Sequence, residues 1–226
     1  VSRAGIPIDD PGPDEPVAGP WRVESIADVH GRLVPDSARA SGRPWVVAVD
    51  GRSGAGKTTL ADALASASAT SAVIHTDDVA WYHAFFDWAD LLADGVLAPA
   101  RQGLPVSYRP PAWEARSRPG SIDVPAGVEL LVVEGVGASR RGLASLLDVA
   151  VWVQADYGDA RRRGIIRDGG EAAAGAFWDE WQAEEIPFLS HDRPWERAAL
   201  IVAGTPVLAH DPAVELVVAP GSTPPS

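Results

Sequence analysis

The sequence predicts an α/β fold: a three-layer sandwich built on a mostly parallel five-stranded sheet. Three observations predict it. Apolar runs of strand length recur at 45–50, 72–76, 128–135, 149–153 and 198–204, and they are continuous rather than alternating, as strands covered on both faces read. Stretches of helical character separate them, and strands alternating with helices imply right-handed crossovers within a parallel sheet. Directly after the first run comes a glycine-rich turn, GRSGAGKTT at 51–59, which opens onto an Ala/Leu-rich helix.

Taken in order, residues 1–20 (VSRAGIPIDDPGPDEPVAGP) are rich in Pro, Gly and Asp. They offer too little apolar surface to offset chain entropy and are expected to form a flexible arm. From Trp21 to Ala40, Val23, Ile26, Ala27 and His30 recur at helical spacing, which predicts a helix outside the sheet. WVVAVD at 45–50 is the first strand, and the helix after the glycine turn runs to about Ser68. AVIHT at 72–76 is the second strand, ending in the acidic pair Asp77 and Asp78. Residues 79–127 are aromatic and then Pro-rich, with WYHAFFDWADLL expected to be helical. That segment is too long for a plain connection and is assigned to acceptor binding. VELLVVEG at 128–135 is the third strand, closing on Glu134 and Gly135, and a short helix is expected at 139–147. The fourth strand covers Val149 to Val153; the charged helix YGDARRRGIIRD and an aromatic, acidic helix at 175–190 make up a helical lid over 156–195. AALIVAG at 198–204 is the fifth strand, VELVV at 214–218 reads as a sixth on the edge, and 219–226 as a loose tail. A single domain over 21–218 results.

The turn at 51–59 matches G-x-x-x-x-G-K-[ST], a phosphate-binding loop. Gly51, Gly54 and Gly56 let the backbone turn its amides inward, with Ser53 and Ala55 between them, and the helix from Lys57 adds its positive end. Lys57 is placed to reach the β and γ phosphates of a nucleotide, the Thr58 hydroxyl to hold Mg²⁺, and Thr59 follows in the same turn. Composition agrees: the chain has eighteen Arg and a single Lys, Lys57. A compact ammonium on a flexible stem stands only where such a loop needs one. Arg52, inside the loop, reads as an exposed variable position.

Other properties narrow the function. A net charge of −12 argues against a protein that neutralises a nucleic-acid backbone. Without Cys there are no disulfides, thiolate metal sites or thiol nucleophiles. No apolar run approaches a membrane span, and the expected dependence on ATP favours the cytoplasm. Homo-oligomerisation is left open.

Phosphoryl transfer needs placement, a metal and positive charge on the moving group. Glu134, ending a buried strand, is the second candidate for Mg²⁺, and Asp77 the candidate general base. Side chains alternate along an extended segment, so only one of Asp77 and Asp78 is expected to face the site. His75 is expected to be a satisfied core histidine. Arg163 and Arg167, four apart on the charged helix, are candidates for stabilising transition-state charge. Asp78, Trp81, Tyr82, Tyr108 and Arg109 are assigned to a ring-bearing acceptor, in an aromatic concentration that also includes Phe85, Phe86, Trp88 and Trp113.

Together GRSGAGKTT, the strand ending IHTDD, LLVVEG and RRRGIIRD resemble the uridine kinase and phosphoribulokinase-like group of P-loop kinases, over roughly 44–204. The resemblance implies a P-loop NTPase sandwich, ATP with Mg²⁺, a nucleoside-like small-molecule acceptor, Asp77 as the catalytic aspartate, Glu134 in the Glu-Gly closing the third strand, and the Arg-rich helix as lid. The sequence departs from the group after the aspartate, where DDVAWYH stands in place of a Ser-Phe-Tyr-like run. Two other readings compete: a nucleotide-binding switch or ATPase acting on a protein partner, and a natural-product or antibiotic kinase on the same scaffold.

Overall fold

The computed structural model describes residues 7–40, 42–205 and 207–222. Residues 1–6 of the expected arm and 223–226 of the expected tail lie outside the described residues.

The chain begins with β1 (Arg22–Ser25) and α1 (Ile26–Leu33), then a 3₁₀ turn at Asp36–Ala40, β2 (Trp45–Gly51) and α2 (Lys57–Ser66). β3 (Ser71–His75) leads straight into α3 (Thr76–Ala80). The insertion holds α4 (Ala89–Leu92), a π-helical stretch (Ala93–Leu97), α5 (Ala98–Arg101), β4 (Val106–Tyr108), α6 (Pro111–Ala115) and β5 (Ile122–Val124). β6 (Leu130–Glu134), a 3₁₀ turn (Arg141–Leu146), β7 (Val149–Gln154), α7 (Tyr157–Arg167) and α8 (Glu171–Asp192) follow, and β8 (Leu200–Ala203) and β9 (Glu215–Pro220) complete the chain.

The central sheet has seven strands in the order β1-β9-β8-β7-β2-β6-β3. Its five parallel members, β8, β7, β2, β6 and β3, are the five runs expected from sequence. Two antiparallel strands extend it, so the count of five is corrected to seven. β9 is not the edge: it lies between β8 and β1, and the edge is β1, part of a stretch expected to be wholly helical. RVES carries only four residues and no apolar run, so nothing local marks it as a strand. Helix α1 starts after it because the Ser25 hydroxyl accepts from the Asp28 amide, an N-cap.

The core divides by strand parity. Val47, Val49, Leu130, Val132, Val151 and Val153 face α1 and α2, whereas Val46, Ala48, Ile74, Leu131 and Val133 face the insertion, with Trp88, Leu92, Val96, Leu97 and Trp113. Each central strand is thus apolar on both faces, and three layers result. Residues 8–18, expected to be flexible, instead pack against the phosphate loop and β7, with Ile8, Pro11, Gly12 and Glu15 buried. The attachment is polar: the Gln154 amide donates to Glu15 at 2.7 Å and to the Pro16 carbonyl at 2.9 Å, and accepts from the Ala18 amide at 2.8 Å.

Candidate functional site

β2 is the middle strand of the parallel set, with β6 on one side and β7 on the other. The crevice beyond its carboxyl end is where open α/β sheets bind ligands. The phosphate loop turns there. Gly56 caps α2 in the left-handed region, φ 104°, and Gly54, at φ 76°, passes so close to α7 that a Cβ would sit 2.1 Å from the Ala160 carbonyl oxygen. A side chain at either position would strain the turn. Lys57, buried, folds back so that Nζ donates to the Arg52 carbonyl at 3.1 Å, and the Ala55 amide donates to the same oxygen.

The register of β3 on β6 sets His75 beside Glu134. The His75 Nδ1 to Glu134 Oε2 distance is 2.7 Å, so His75 is a partner of the strand-end acid rather than a core histidine. The two perturb each other. The hydrogen bond to Glu134 raises the His75 pKa above the ordinary histidine value against a smaller opposing effect of burial. Burial pushes Glu134 upward, but the bond from His75, the Lys57 charge and the Thr58 hydroxyl together hold it below the usual carboxylate value. Asp77, in the first turn of α3, is exposed to solvent. The surrounding protein raises its pKa, Lys57 opposes this, Glu134 adds to it, and Arg167 and His75 oppose it more weakly. Lys57, Asp77, Glu134, His75 and Arg167 therefore share one electrostatic neighbourhood.

Among the described residues no group of three or more His, Cys, Asp or Glu is arranged to hold a metal by itself. What the site offers is the Thr58 hydroxyl beside the Glu134 carboxylate, close to Lys57. An oxygen set with one carboxylate suits Mg²⁺, which keeps waters and takes the rest of its ligands from phosphates. The residues fit that ion.

The structure separates other sequence candidates from this group. Asp78 pairs with Arg118 at 2.6 Å, and its carbonyl accepts from the Trp113 indole at 2.8 Å, so its carboxylate is engaged within the insertion. Tyr108 packs its ring against Gly95 in the insertion core. Arg109 ties down the next loop through the carbonyls of Gly120 and Arg118. All three make contacts within the insertion. Trp81 lies under the Arg118 guanidinium, 4.9 Å from the ring centroid, and edge-on to Tyr82. Tyr82 is 66% exposed beneath Arg116. Arg163 and Arg167 diverge. The Arg163 guanidinium donates to the Gly204 carbonyl at 2.7 Å, behind the loop. Arg167 pairs with Asp168 while feeling the charges of Asp77 and Glu134.

Sequence reasoning missed several supports. Asp50, fully buried, accepts from the amides of Gly51, Gly137 and Ser139 and from the Ser139 hydroxyl, joining the start of the phosphate loop to the loop after β6. Its place just before Gly51 is visible in the sequence, but its partners Gly137 and Ser139, more than 80 residues on, are not. Arg52 is corrected from exposed to 3% exposed. It donates to Glu15 at 3.1 Å and to the carbonyls of Pro11 and Pro13, and Glu15 also accepts from the Trp152 indole at 2.6 Å. Burial raises the Glu15 pKa despite the neighbouring Arg52. A cavity of about 210 Å³ lies at the other, amino-terminal ends of β2 and β6, lined by Arg43, Pro44, Leu104 and Val128 among others, away from these groups.

No protein-family profile matches the chain, and no curated protein matches it in sequence. Solved structures do match. A candidate fructose transport system kinase from Silicibacter sp. TM1040 aligns over 77% of this chain and 96% of its own, with TM-score 0.55 and 17% identity. A possible uridine kinase from Bacillus stearothermophilus aligns over 70% of this chain and 88% of its own, with TM-score 0.45 and 18% identity. The first likeness shows that the chain has the fold of that solved structure. Among the described residues no helix is long and apolar enough to cross a membrane.

Proposed function

We propose that the chain is a small-molecule kinase that moves the γ-phosphate of ATP to a hydroxyl of a nucleoside-like acceptor. The observation that carries this reading is the convergence of Lys57, Asp77 and Glu134 at the carboxyl ends of neighbouring strands, beside a phosphate-binding loop.

In this reading the loop amides and Lys57 hold the phosphates and Arg167 adds positive charge. Thr58 and Glu134 hold Mg²⁺, which supplies neutralisation of phosphate charge when bound. Asp77 takes the proton of the acceptor hydroxyl as its oxygen bonds to the γ-phosphorus and the bond to the β–γ bridging oxygen breaks, releasing ADP. Trp81 and Tyr82 are the aromatic faces offered to the acceptor ring. The protein works where ATP and Mg²⁺ are abundant, in the cytoplasm, on a small acceptor rather than a nucleic acid.

The test is ADP release across a panel of nucleosides, sugars and vitamins. Lys57→Ala and Asp77→Asn are each expected to abolish acceptor-dependent release, with ATP binding kept better in Asp77→Asn. Turnover of any acceptor at the normal rate by Asp77→Asn would remove Asp77 from this role.

A further inference from the structure

The amide of Ser53, third residue of the phosphate loop, already has an anionic partner. It donates to Glu185 Oε1 at 2.8 Å across 132 residues of sequence. The same oxygen accepts from the Trp181 indole at 3.2 Å. Trp181 and Glu185 are four apart on α8 and so lie on one helix face. Glu185 is 1% exposed, enclosed against the loop. Acids on a long helix ordinarily point to water; this one is held by a main-chain N–H of a turn built to receive phosphate oxygens. A carboxylate oxygen and a phosphate oxygen cannot share that place, because they exclude each other sterically and repel electrostatically.

The element that carries Glu185 is built to give way. Its amino end hangs from Gly169 and Gly170, at φ 106° and 89°, two residues that take up backbone rotation easily. Two residues past Glu185, Pro187 lies inside the helix and leaves the Ala183 carbonyl without its usual ladder donor. On that same face Trp181 also packs on Phe85 and Phe86, with ring centroids 5.1 and 5.2 Å away, so withdrawal of this face also opens the aromatic segment of the insertion.

We propose that Glu185 is an autoinhibitory occupant of the phosphate site: its carboxylate holds the Ser53 amide, and a triphosphate enters as α8 withdraws it. This rests on the nucleotide-binding role given to the loop above. The same motion links filling of the phosphate site to opening of the Phe85–Trp181 contact, so nucleotide binding precedes acceptor access.

The test is Glu185→Gln, whose amide oxygen still accepts from Ser53 while the charge is removed. MgATP binding by calorimetry without acceptor is expected to be about five- to tenfold tighter than in the wild type, the difference between a charged and a neutral acceptor at that amide. Hydrogen exchange on the wild-type chain gives a readout that no variant can confound: MgATP is expected to slow exchange at 53–58 and speed it at 178–189. Equal affinity in wild type and Glu185→Gln, or slower exchange in α8 with MgATP, overturns the autoinhibitory role and leaves the nucleotide site standing. If neither protein binds MgATP, the reading of the loop itself fails, and the proposal with it.

Discussion

Glu15→Ala probes the least expected contact in the molecule. Its partner Arg52 is 3% exposed at the first turn of the phosphate loop, and the Glu15 side chain is 1% exposed. Removing the carboxylate leaves a guanidinium buried with no counter-charge, and Arg52 Nη1 already has no hydrogen-bond partner among the described residues. It also takes an acceptor from the Trp152 indole and from the Gln154 amide. Breaking a buried pair from one side costs about 3–5 kcal/mol. For a chain of this length that lowers the midpoint of thermal unfolding by about 6–20 °C. Urea denaturation monitored by tryptophan fluorescence measures the loss, and the double variant Glu15→Leu/Arg52→Met is expected to recover most of it, because the cost lies in the stranded charge. A loss below about 1 kcal/mol, the range of a solvent-screened surface pair, would refute the argument that residues 8–18 are part of the folded core.

Further predictions follow the same geometry. In the proposed mechanism Asp77 acts as carboxylate, and the surrounding protein raises its pKa, so acceptor-dependent turnover should rise with pH through a midpoint above the ordinary aspartate value; Lys57 lowers that pKa, and a profile centred at or below the ordinary value would contradict the assignment. His75 should titrate above the ordinary histidine value in two-dimensional NMR and fall back toward it in Glu134→Gln. The sign for stability follows: a raised folded pKa means the His75–Glu134 pair stabilises fully below about pH 6.5, and its contribution is lost as pH rises through the folded value. Gly164→Ala on α7 would place a Cβ 2.0 Å from the Trp178 ring, so overpacking is expected to cost about 1–3 kcal/mol in urea. Asp78→Asn, which removes the counter-charge of Arg118, should alter stability of the insertion and leave kcat within a few-fold of normal, in contrast to Asp77→Asn.

What could be read from sequence was whatever is encoded locally. Five strands covered on both faces announce themselves as continuous apolar runs, and the loop from Gly51 to Thr58 carries its geometry in its own glycines. Asp77 and Glu134 stand out as candidates because each follows or ends such a run. The antiparallel strands were less so: β1 is RVES, four residues whose strand character comes only from pairing with Leu216–Val218 and its neighbours. The segment 8–18 has the composition of a disordered arm, and its order comes from polar partners at Arg52, Trp152 and Gln154 that composition does not report. Glu185 had no local signal at all. An acid in an acidic helix meets the loop only through the fold.

The pairing of β1 with β9 has a consequence for biosynthesis. On a ribosome that releases the chain from its amino end, residues 22–25 emerge early yet find their hydrogen-bonding neighbour only when residues 215–218 appear. Until then the β8 edge of the nascent sheet stays bare, a template for pairing with another chain. Stalling or truncation before residue 215 should therefore yield an aggregation-prone species in which the glycine-rich loop and its flanking parallel strands have all been made.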